Sequence, residues 1–175
     1  ISEEDARDYA VVGCVELSSQ GDELGWSDAA MFNLVKALEL TLNNGKCLLS
    51  GDQIGLDTGD LTDYESISDL EDAFRTQVDH FIDRMMPLCD AVDRLHAEIL
   101  PSPFLSSVIQ DCVAKGVDVT AGGAKYNLSG IQAIQVANVA DSLAALETCV
   151  FGGAAATRAA TGGTGAASVT AAEVL

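Results

Sequence analysis

The feature that most constrains the fold is a long helical pattern of apolar residues between Ser68 and Pro101. Ser68 and Glu71 have the spacing of a capping box, in which each side chain bonds the backbone N–H of the other residue. Apolar side chains then recur every three or four positions, as on one face of a helix, at Phe74, Val78, Phe81, Ile82, Met85, Leu88, Val92, Leu95 and Ile99. Pro87 should kink or break this helix and Pro101 should end it, because proline has no N–H to donate.

Two further elements are predicted before this helix. Residues 9–15 are mostly apolar, which is typical of a buried strand. From Ser27 the apolar spacing becomes helical, with Ser27 as the cap and Asp28 beside the positive helix end. The run Asn-Asn-Gly at 43–45 supplies a stop, and a loop rich in Gly, Asp and Thr follows at 46–66.

The part of the chain after Pro103 mixes both kinds of element. Its pattern predicts a short helix over about 106–115, a glycine-rich turn, a strand-like run and a last helix over about 141–150. Taken with the elements before it, this pattern predicts an α/β protein with more helix than strand.

The charge of the chain excludes some classes of partner. Nine basic and 27 acidic residues give a formal charge of −18, which repels phosphate backbones and anionic lipid headgroups. No apolar run reaches the roughly 18 residues of a membrane span, and no signal segment opens the sequence. We therefore expect no nucleic acid, no membrane and a cytoplasmic location. A hydrophobic content of 48% predicts a packed core.

Cysteine and histidine usage argues against disulfides and metals. The five cysteines are odd in number and lack Cys-x-x-Cys spacing; they are Cys14, Cys47, Cys89, Cys112 and Cys149. Free thiols of this kind are typical of a reducing compartment. His80 and His96 have no partner at helical ligand spacing, so no metal site is expected.

One short motif, Gly13-Cys14-Val15-Glu16, carries chemistry. In an extended segment, residues two apart project from the same side, so Cys14 and Glu16 would face one cavity. A carboxylate beside the sulfur disfavours the thiolate, which suits a thiol that reacts as a radical better than a nucleophile. The carboxylate can then accept a proton from the same substrate. The alternatives are a buried core cysteine and a cysteine hydrolase, which would need a histidine partner.

These residues, with Gly25–Ala30 (Gly-Trp-Ser-Asp-Ala-Ala), resemble the cysteine-loop region of glycyl radical enzymes. That family includes pyruvate formate-lyase, glycerol dehydratase, choline trimethylamine-lyase and hydroxyphenylacetate decarboxylase. Further similar motifs follow in the same order, at Leu40–Gly45, Gln53–Gly55 with Thr58-Gly59, Pro103–Ser107, Gly122–Gly130 and Ala137–Leu143. The resemblance covers residues 5–151.

The resemblance implies an incomplete structure. Residues 1–151 would form a helix-rich C-terminal portion of a ten-stranded α/β barrel that contains the cysteine loop. The Gly/Ala/Thr-rich tract at 152–168 is expected to be a loop or linker. Residues 169–175 are expected to begin a truncated helix, capped by Thr170 and Glu173. The radical glycine of the family would lie beyond Leu175, so the isolated fragment should be inactive.

The resemblance also implies roles for single residues. Cys14 matches the family's thiyl-radical cysteine, and Glu16 matches the glutamate that acts as base in the dehydratase, lyase and decarboxylase branches. Asp28 matches an aspartate that contacts substrate in some eliminating members; the alternative is stabilisation of a helix N-terminus. Tyr126 lies in a stretch that resembles the barrel lining, and it could equally be a core aromatic.

The function implied is that of a thiyl-radical lyase which cleaves a C–O, C–N, C–S or C–C bond of a small molecule during anaerobic metabolism. No cofactor is expected in this segment. The glycyl radical would be installed on the missing segment by an S-adenosylmethionine radical activating enzyme, and the full-length protein would be a homodimer. Leu17 and Ser27 replace the proline and histidine that are frequent in diol and choline enzymes. The choice of substrate therefore stays open.

Two alternatives remain. A formate C-acetyltransferase activity is disfavoured, because pyruvate formate-lyase has two adjacent cysteines where this chain has Gly13-Cys14. The chain could also be a non-catalytic acidic scaffold that has kept the fold without the radical segment.

Overall fold

The computed structural model of the chain describes residues 1–14 and 16–152, except for the side chain of Ser27. These residues fall into two compact units. The first unit comprises Ile1–Phe32 and Met85–Gln132, and the second comprises Asn33–Arg84 and the chain from Ala133. The predicted linker, from residue 153 onward, and the predicted helix at 169–175 lie outside the described residues.

The secondary structure is mixed, with long elements beside short ones. The helices are α1 (Glu3–Arg7), α2 (Leu34–Leu42), α3 (Ile67–Ile99), α4 (Pro103–Ser106), α5 (Cys112–Lys115) and α6 (Val136–Leu146). The strands are β1 (Tyr9–Val12), β2 (Glu16–Ser19), β3 (Glu23–Asn33) and β4 (Tyr126–Ile134). A 3₁₀ turn at Val119–Ala121 precedes β4, and a π-helical turn at Glu147–Phe151 follows α6. Strands β1 and β2 form an antiparallel hairpin, and β3 pairs with β4 in a second two-stranded sheet.

The strand predicted at 9–15 is shorter and more exposed than expected. Strand β1 ends at Val12, and three of its four residues are exposed. Gly13 has φ of +59°, in the left-handed region that favours glycine, and Gly13 and Cys14 form a turn. The prediction of a buried strand through residue 15 is therefore wrong, because the chain reverses at Gly13.

The helix predicted from Ser27 is also wrong in its first part. Residues 23–33 form strand β3, and Met31, which lies within the stretch predicted to be helical, is 61% exposed. The helix begins at Leu34, where the Asn33 side chain accepts a hydrogen bond of 2.9 Å from the Lys36 N–H. Pairing with β4 explains the difference, because a distant strand overrides local helical spacing. The predicted stop is confirmed, since α2 ends at Leu42.

The long helix is present and is not broken. Helix α3 runs from Ile67 to Ile99 through Pro87, so the prediction of a break is wrong and the end before Pro101 is confirmed. One missing N–H within a helix of 33 residues leaves its other hydrogen bonds in place. The cap lies two residues earlier than predicted. The Ser66 N–H and hydroxyl both donate to Asp69 at 2.9 Å.

The predicted short helix at 106–115 consists of two separate turns of helix, α4 and α5. Between them, Asp111 has φ of +72°, a left-handed conformation that interrupts a helix. The last helix, α6, begins at Val136, five residues before the predicted start at 141. Gln135 precedes it with φ of +68°. Both differences arise at non-glycine residues with positive φ, which spacing patterns do not reveal.

The second unit is organised by a buried glutamine as well as by apolar packing. Its buried core residues are Leu38, Leu61, Leu70, Val139 and Leu146. The Gln77 side chain on α3 is completely buried and bonds the loop at 46–66. It donates to the Leu56 carbonyl at 2.7 Å and to the Thr58 hydroxyl at 3.0 Å, and it accepts from the Leu56 N–H at 3.0 Å. The Gln77 side chain therefore holds Leu56 and Thr58, in the loop predicted at 46–66, against α3.

We expect Gln77→Ala to loosen this loop. The change leaves the N–H and C=O of Leu56 without their amide partner, at a cost of about 1–3 kcal/mol for each unsatisfied group. Hydrogen exchange measured by mass spectrometry should then be roughly one to two orders of magnitude faster in the peptide around Leu56. The control is Glu71→Ala on an exposed position of the same helix, which should leave that peptide unchanged. Unchanged exchange in Gln77→Ala would contradict the role of Gln77.

Candidate functional site

Cys14 lies in the turn of the β1–β2 hairpin. Val12 pairs with Glu16, and Gly13 and Cys14 between them form a turn, which we call the hairpin turn. Cys14 is exposed, and its thiol is free of disulfide bonding. The hairpin therefore presents the sulfur at its tip and not on the face of a strand.

Glu16 is the first residue of β2, directly after the hairpin turn. Its side chain is half-buried, and its Oε1 atom accepts a hydrogen bond of 2.7 Å from Nε2 of Gln132. Gln132 belongs to β4, which lies 116 residues away in the sequence. A side chain from a strand far from the motif in sequence therefore holds one oxygen of the carboxylate.

Gly13 brings the same carboxylate close to the turn. A Cβ atom at position 13 would lie 2.6 Å from Oε2 of Glu16, which is shorter than any ordinary contact. The φ of +59° at Gly13 would strain any other residue there as well. Glycine is therefore favoured by the turn itself, and a side chain at this position would displace the Glu16 carboxylate from its place beside the turn.

The arrangement of Cys14 and Glu16 differs from the one predicted. The prediction assumed an extended segment with Cys14 and Glu16 on one side, but residues 13 and 14 form a turn. The carboxylate instead folds back against Gly13, the neighbour of Cys14. That Cys14 and Glu16 act on one substrate stays a prediction.

Asp28 lies on β3 and lines a cavity of about 420 Å³ within the first unit. The alternative role at a helix N-terminus is wrong, because residue 28 lies inside a strand. The sequence did not predict that His96 of α3 also lines this cavity. Its ring stacks on Trp26, with ring centroids 4.6 Å apart. Asp93 of α3 also lines this cavity and accepts a hydrogen bond of 2.9 Å from Ser129. Contact of Asp28 with substrate stays a prediction.

Tyr126 is half-buried and not a core aromatic. Its hydroxyl donates to Oδ2 of Asp5 at 2.6 Å and accepts from the Ser2 N–H at 2.9 Å. Lys125 donates to the same Asp5 oxygen at 2.6 Å and lies 3.5 Å from Asp22. The hydrogen bonds from Lys125, Tyr126 and Ser2 hold the pKa of Asp5 far below its usual range, and Asp5 raises the pKa of Lys125. This cluster ties α1 to the start of β4.

We expect Asp5→Asn to release α1, because the amide cannot pair with Lys125 as a carboxylate does. Trypsin should then cleave after Arg7 about tenfold faster. Because the pKa of Asp5 is lowered, its contribution to stability is fully present above the ordinary aspartate pKa and is lost as pH falls through the folded value. Because the pKa of Lys125 is raised, its contribution to stability is fully present below the ordinary lysine pKa and is lost as pH rises through the folded value. The ratio of variant to parent cleavage should therefore be constant from about pH 6 to 9. Glu4→Gln, an exposed change in α1, is the control, and equal cleavage of Asp5→Asn and control would contradict this role.

A thiol with a lowered pKa lies in the second unit. Cys47 is 7% exposed, and Lys36 donates to its sulfur at 3.0 Å. This hydrogen bond is the main reason that the pKa of Cys47 is lowered to about 7. Lys36 precedes Cys47 by 11 residues, so no motif signalled the pair. Thiol labelling of this chain at neutral pH must therefore be assigned by peptide before it is attributed to Cys14.

The described residues contain neither a candidate metal site nor a helix that could span a membrane. Among residues 1–14 and 16–152, no group of three or more His, Cys, Asp or Glu side chains is arranged to hold a metal ion. Over the same part of the chain, no helix is both long and apolar enough to cross a membrane.

Comparison with known proteins identifies the family. The family model described as "Pyruvate formate lyase-like" matches residues 1–160. The chain therefore belongs to the pyruvate formate lyase-like family, and solved relatives with an α/β fold share its structure.

Individual relatives are similar over most of the chain. The (2S)-3-sulfopropanediol dehydratase of Klebsiella oxytoca is 43% identical over 148 residues, which cover 85% of this chain and 18% of the relative. The trans-4-hydroxy-L-proline dehydratase of Clostridioides difficile is 38% identical and matches 85% of this chain and 19% of its own length. The glycerol-bound B12-independent glycerol dehydratase from Clostridium butyricum superposes with a TM-score of 0.81 at 41% identity, covering 86% of this chain and 19% of that one. The chain thus spans about a fifth of the length of these relatives.

Proposed function

We propose that the complete protein containing this chain is a glycyl radical dehydratase, with Cys14 as the radical cysteine and Glu16 as the base. The observation that carries the proposal is the hairpin turn. There Gly13 leaves space for the Glu16 carboxylate beside a solvent-accessible cysteine. Relatives whose names are those of dehydratases support the reaction class.

The first step assigned to this chain is hydrogen-atom transfer. The Cys14 thiyl takes a hydrogen atom from a carbon of the substrate, so an S–H bond forms and a C–H bond breaks. A carbon radical is left beside a hydroxyl group. The exposed position of Cys14 at the tip of a turn lets its sulfur approach a bound molecule.

The second step is the loss of water. Glu16 accepts the proton of the hydroxyl on the radical carbon, or of the amine on that carbon in hydroxyproline, and the C–O bond on the neighbouring carbon breaks. Glu16 passes that proton to the departing hydroxyl, which leaves as water. The product radical takes the hydrogen atom back from Cys14, which gives a carbonyl product from a diol or an imine from hydroxyproline and restores the thiyl. Asp28 is assigned to substrate contact, since its side chain lines the cavity of the first unit.

The rest of the complete protein enters the proposal by family membership. Residues 1–151 form part of a ten-stranded α/β barrel in a cytoplasmic homodimer. A glycine outside this chain stores the radical, and an S-adenosylmethionine radical activating enzyme installs it in the absence of oxygen.

The proposal is tested by assaying the activated complete enzyme on three substrates. The panel is (2S)-3-sulfopropanediol, trans-4-hydroxy-L-proline and glycerol, which the names of the relatives supply. We expect water loss and a dehydrated product from at least one of them. Turnover of none would contradict the proposal and would favour a non-catalytic scaffold.

An acyltransferase is the second candidate, and Gly13 argues against it. A cysteine at position 13 would place its Cβ 2.6 Å from the Glu16 carboxylate. A cysteine there would also have to adopt the φ of +59°, and Glu16 would have to move, so the hairpin turn as it stands favours one cysteine with a glutamate. Formation of acetyl-coenzyme A from pyruvate by the activated enzyme would reverse this preference.

A further inference from the structure

Gln132 is a polar residue that the proposed roles do not yet use. It is half-buried on β4, and its Nε2 donates to Oε1 of Glu16 at 2.7 Å. The two side chains belong to the first unit but lie 116 residues apart in sequence. The contact is therefore a tertiary one, made when β4 meets the end of the hairpin.

The Gln132 amide is a suitable hydrogen-bond donor to a carboxylate that has to act as a base. A carboxylate that accepts a hydrogen bond has its charged form stabilised and its plane oriented. An amide does this without a formal charge, whereas a lysine or arginine at the same place would form an ion pair and weaken the carboxylate as a proton acceptor. Gln132 therefore orients the Glu16 carboxylate without placing a formal positive charge against it.

Gly13 lies on the other side of the same carboxylate. Oε1 accepts from the Gln132 amide, and Oε2 lies 2.6 Å from the place that a Cβ of residue 13 would take. The carboxylate therefore lies between Gln132 on β4 and Gly13 in the hairpin turn. This orientation brings Oε2 close to the residue that precedes Cys14.

We propose that Gln132 is a positioning residue for Glu16, which holds the carboxylate against Gly13 and beside Cys14 for proton transfer. The inference rests on the proposed function, because it gives Gln132 a task in the step assigned to Glu16. Gln132 touches Glu16 and has no assigned contact with substrate. Its loss is therefore expected to slow proton transfer and to leave hydrogen-atom transfer by Cys14 intact.

The test compares Gln132→Ala with Gln132→Glu in the activated complete enzyme. Both variants should lower kcat by about tenfold or more, with KM within about threefold of the parent, because each removes a donor to a charged group. Glutamate has nearly the shape of glutamine, so it would be tolerated if Gln132 only filled space. Placed against Glu16 it brings two carboxylates together, and turnover should fall at least as far as in Gln132→Ala. Gln110→Ala and Gln110→Glu, at an exposed position of the same unit, are the controls.

A deuterium isotope effect identifies the step that is slowed. With a panel substrate deuterated at its carbon-bound hydrogens, the isotope effect on kcat should fall towards one in both Gln132 variants, because proton transfer then limits the rate. An isotope effect at or above that of the parent would overturn the inference, because hydrogen-atom transfer would then be the slowed step. Parent-like kcat in Gln132→Glu would overturn it as well. A parent that turns over no panel substrate contradicts the proposed function and the inference together, whereas an active parent with unaffected variants contradicts the inference alone.

Discussion

Replacing Cys14 by alanine is expected to abolish turnover of every panel substrate while the glycyl radical signal of the activated enzyme stays at the parent level. The methyl group cannot carry the hydrogen atom between the stored radical and the substrate, so the first step is lost. Radical installation takes place at another residue and should not need the Cys14 sulfur. The measurement pairs electron paramagnetic resonance of the activated enzyme with product analysis.

Two further variants complete this experiment. Cys14→Ser should be as inactive as Cys14→Ala, because an O–H bond is too strong for a carbon radical to break, whereas a hydrolase nucleophile could keep some activity as serine. Cys149→Ala removes a half-buried thiol of the second unit and should leave turnover near the parent level. Residual turnover in Cys14→Ala would refute the assignment of the radical to this residue.

Replacing Glu16 by glutamine should lower kcat by about 10²- to 10⁴-fold, the range typical for the loss of a general base. Glutamine has nearly the same shape, and it fits beside Gly13 and Gln132, so the fold of the hairpin should persist. It cannot accept the substrate proton, so water loss should fail after the hydrogen atom has been removed. Steady-state kinetics on the activated enzyme measures this loss.

Glu23→Gln is a matched control for that variant. Glu23 also carries a half-buried carboxylate in the first unit, and it accepts a hydrogen bond of 2.9 Å from the Ser19 N–H, which an amide oxygen can still accept. We expect its turnover to stay near that of the parent. Equal losses in Glu16→Gln and Glu23→Gln would show that neutralising any carboxylate near the hairpin is harmful, and Glu16 would lose its special role.

The sequence predicted the elements whose causes are local. The apolar spacing up to Ile99 identified α3, because an amphipathic face repeats within each helical turn. The stop after Leu42 was equally clear, since Asn44 and Gly45 adopt positive φ. In both cases the residues that cause the structure are the residues within it.

Other elements depended on contacts between distant segments. Residues 27–33 have helical spacing, yet they lie in β3, because β3 pairs with β4, a strand distant in the sequence. The break expected at Pro87 is also absent, since α3 continues through it to Ile99.

The candidate site shows the same division. Cys14 and Glu16 were found because they lie within one short motif, and a resemblance over several motifs gave them roles. Gln132 was missed, since nothing in its neighbourhood marks it as the donor to Glu16. The place of the Glu16 carboxylate beside Gly13 also needed the structure, because the sequence motif does not show that the side chain folds back against the turn.

The central claim is that the hairpin turn directs Cys14 and Glu16 at one substrate. It is tested most directly by a crystal structure of the complete enzyme bound to a panel substrate that the enzyme is able to turn over. We predict the Cys14 sulfur within about 4 Å of a substrate carbon, and a Glu16 oxygen within about 2.6–3.2 Å of the hydroxyl, or in hydroxyproline the amine, on that carbon. In the same structure Gln132 should still donate to the other oxygen of Glu16. A substrate bound away from the turn, or one that contacts Cys14 while the Glu16 carboxylate points elsewhere, would contradict the account.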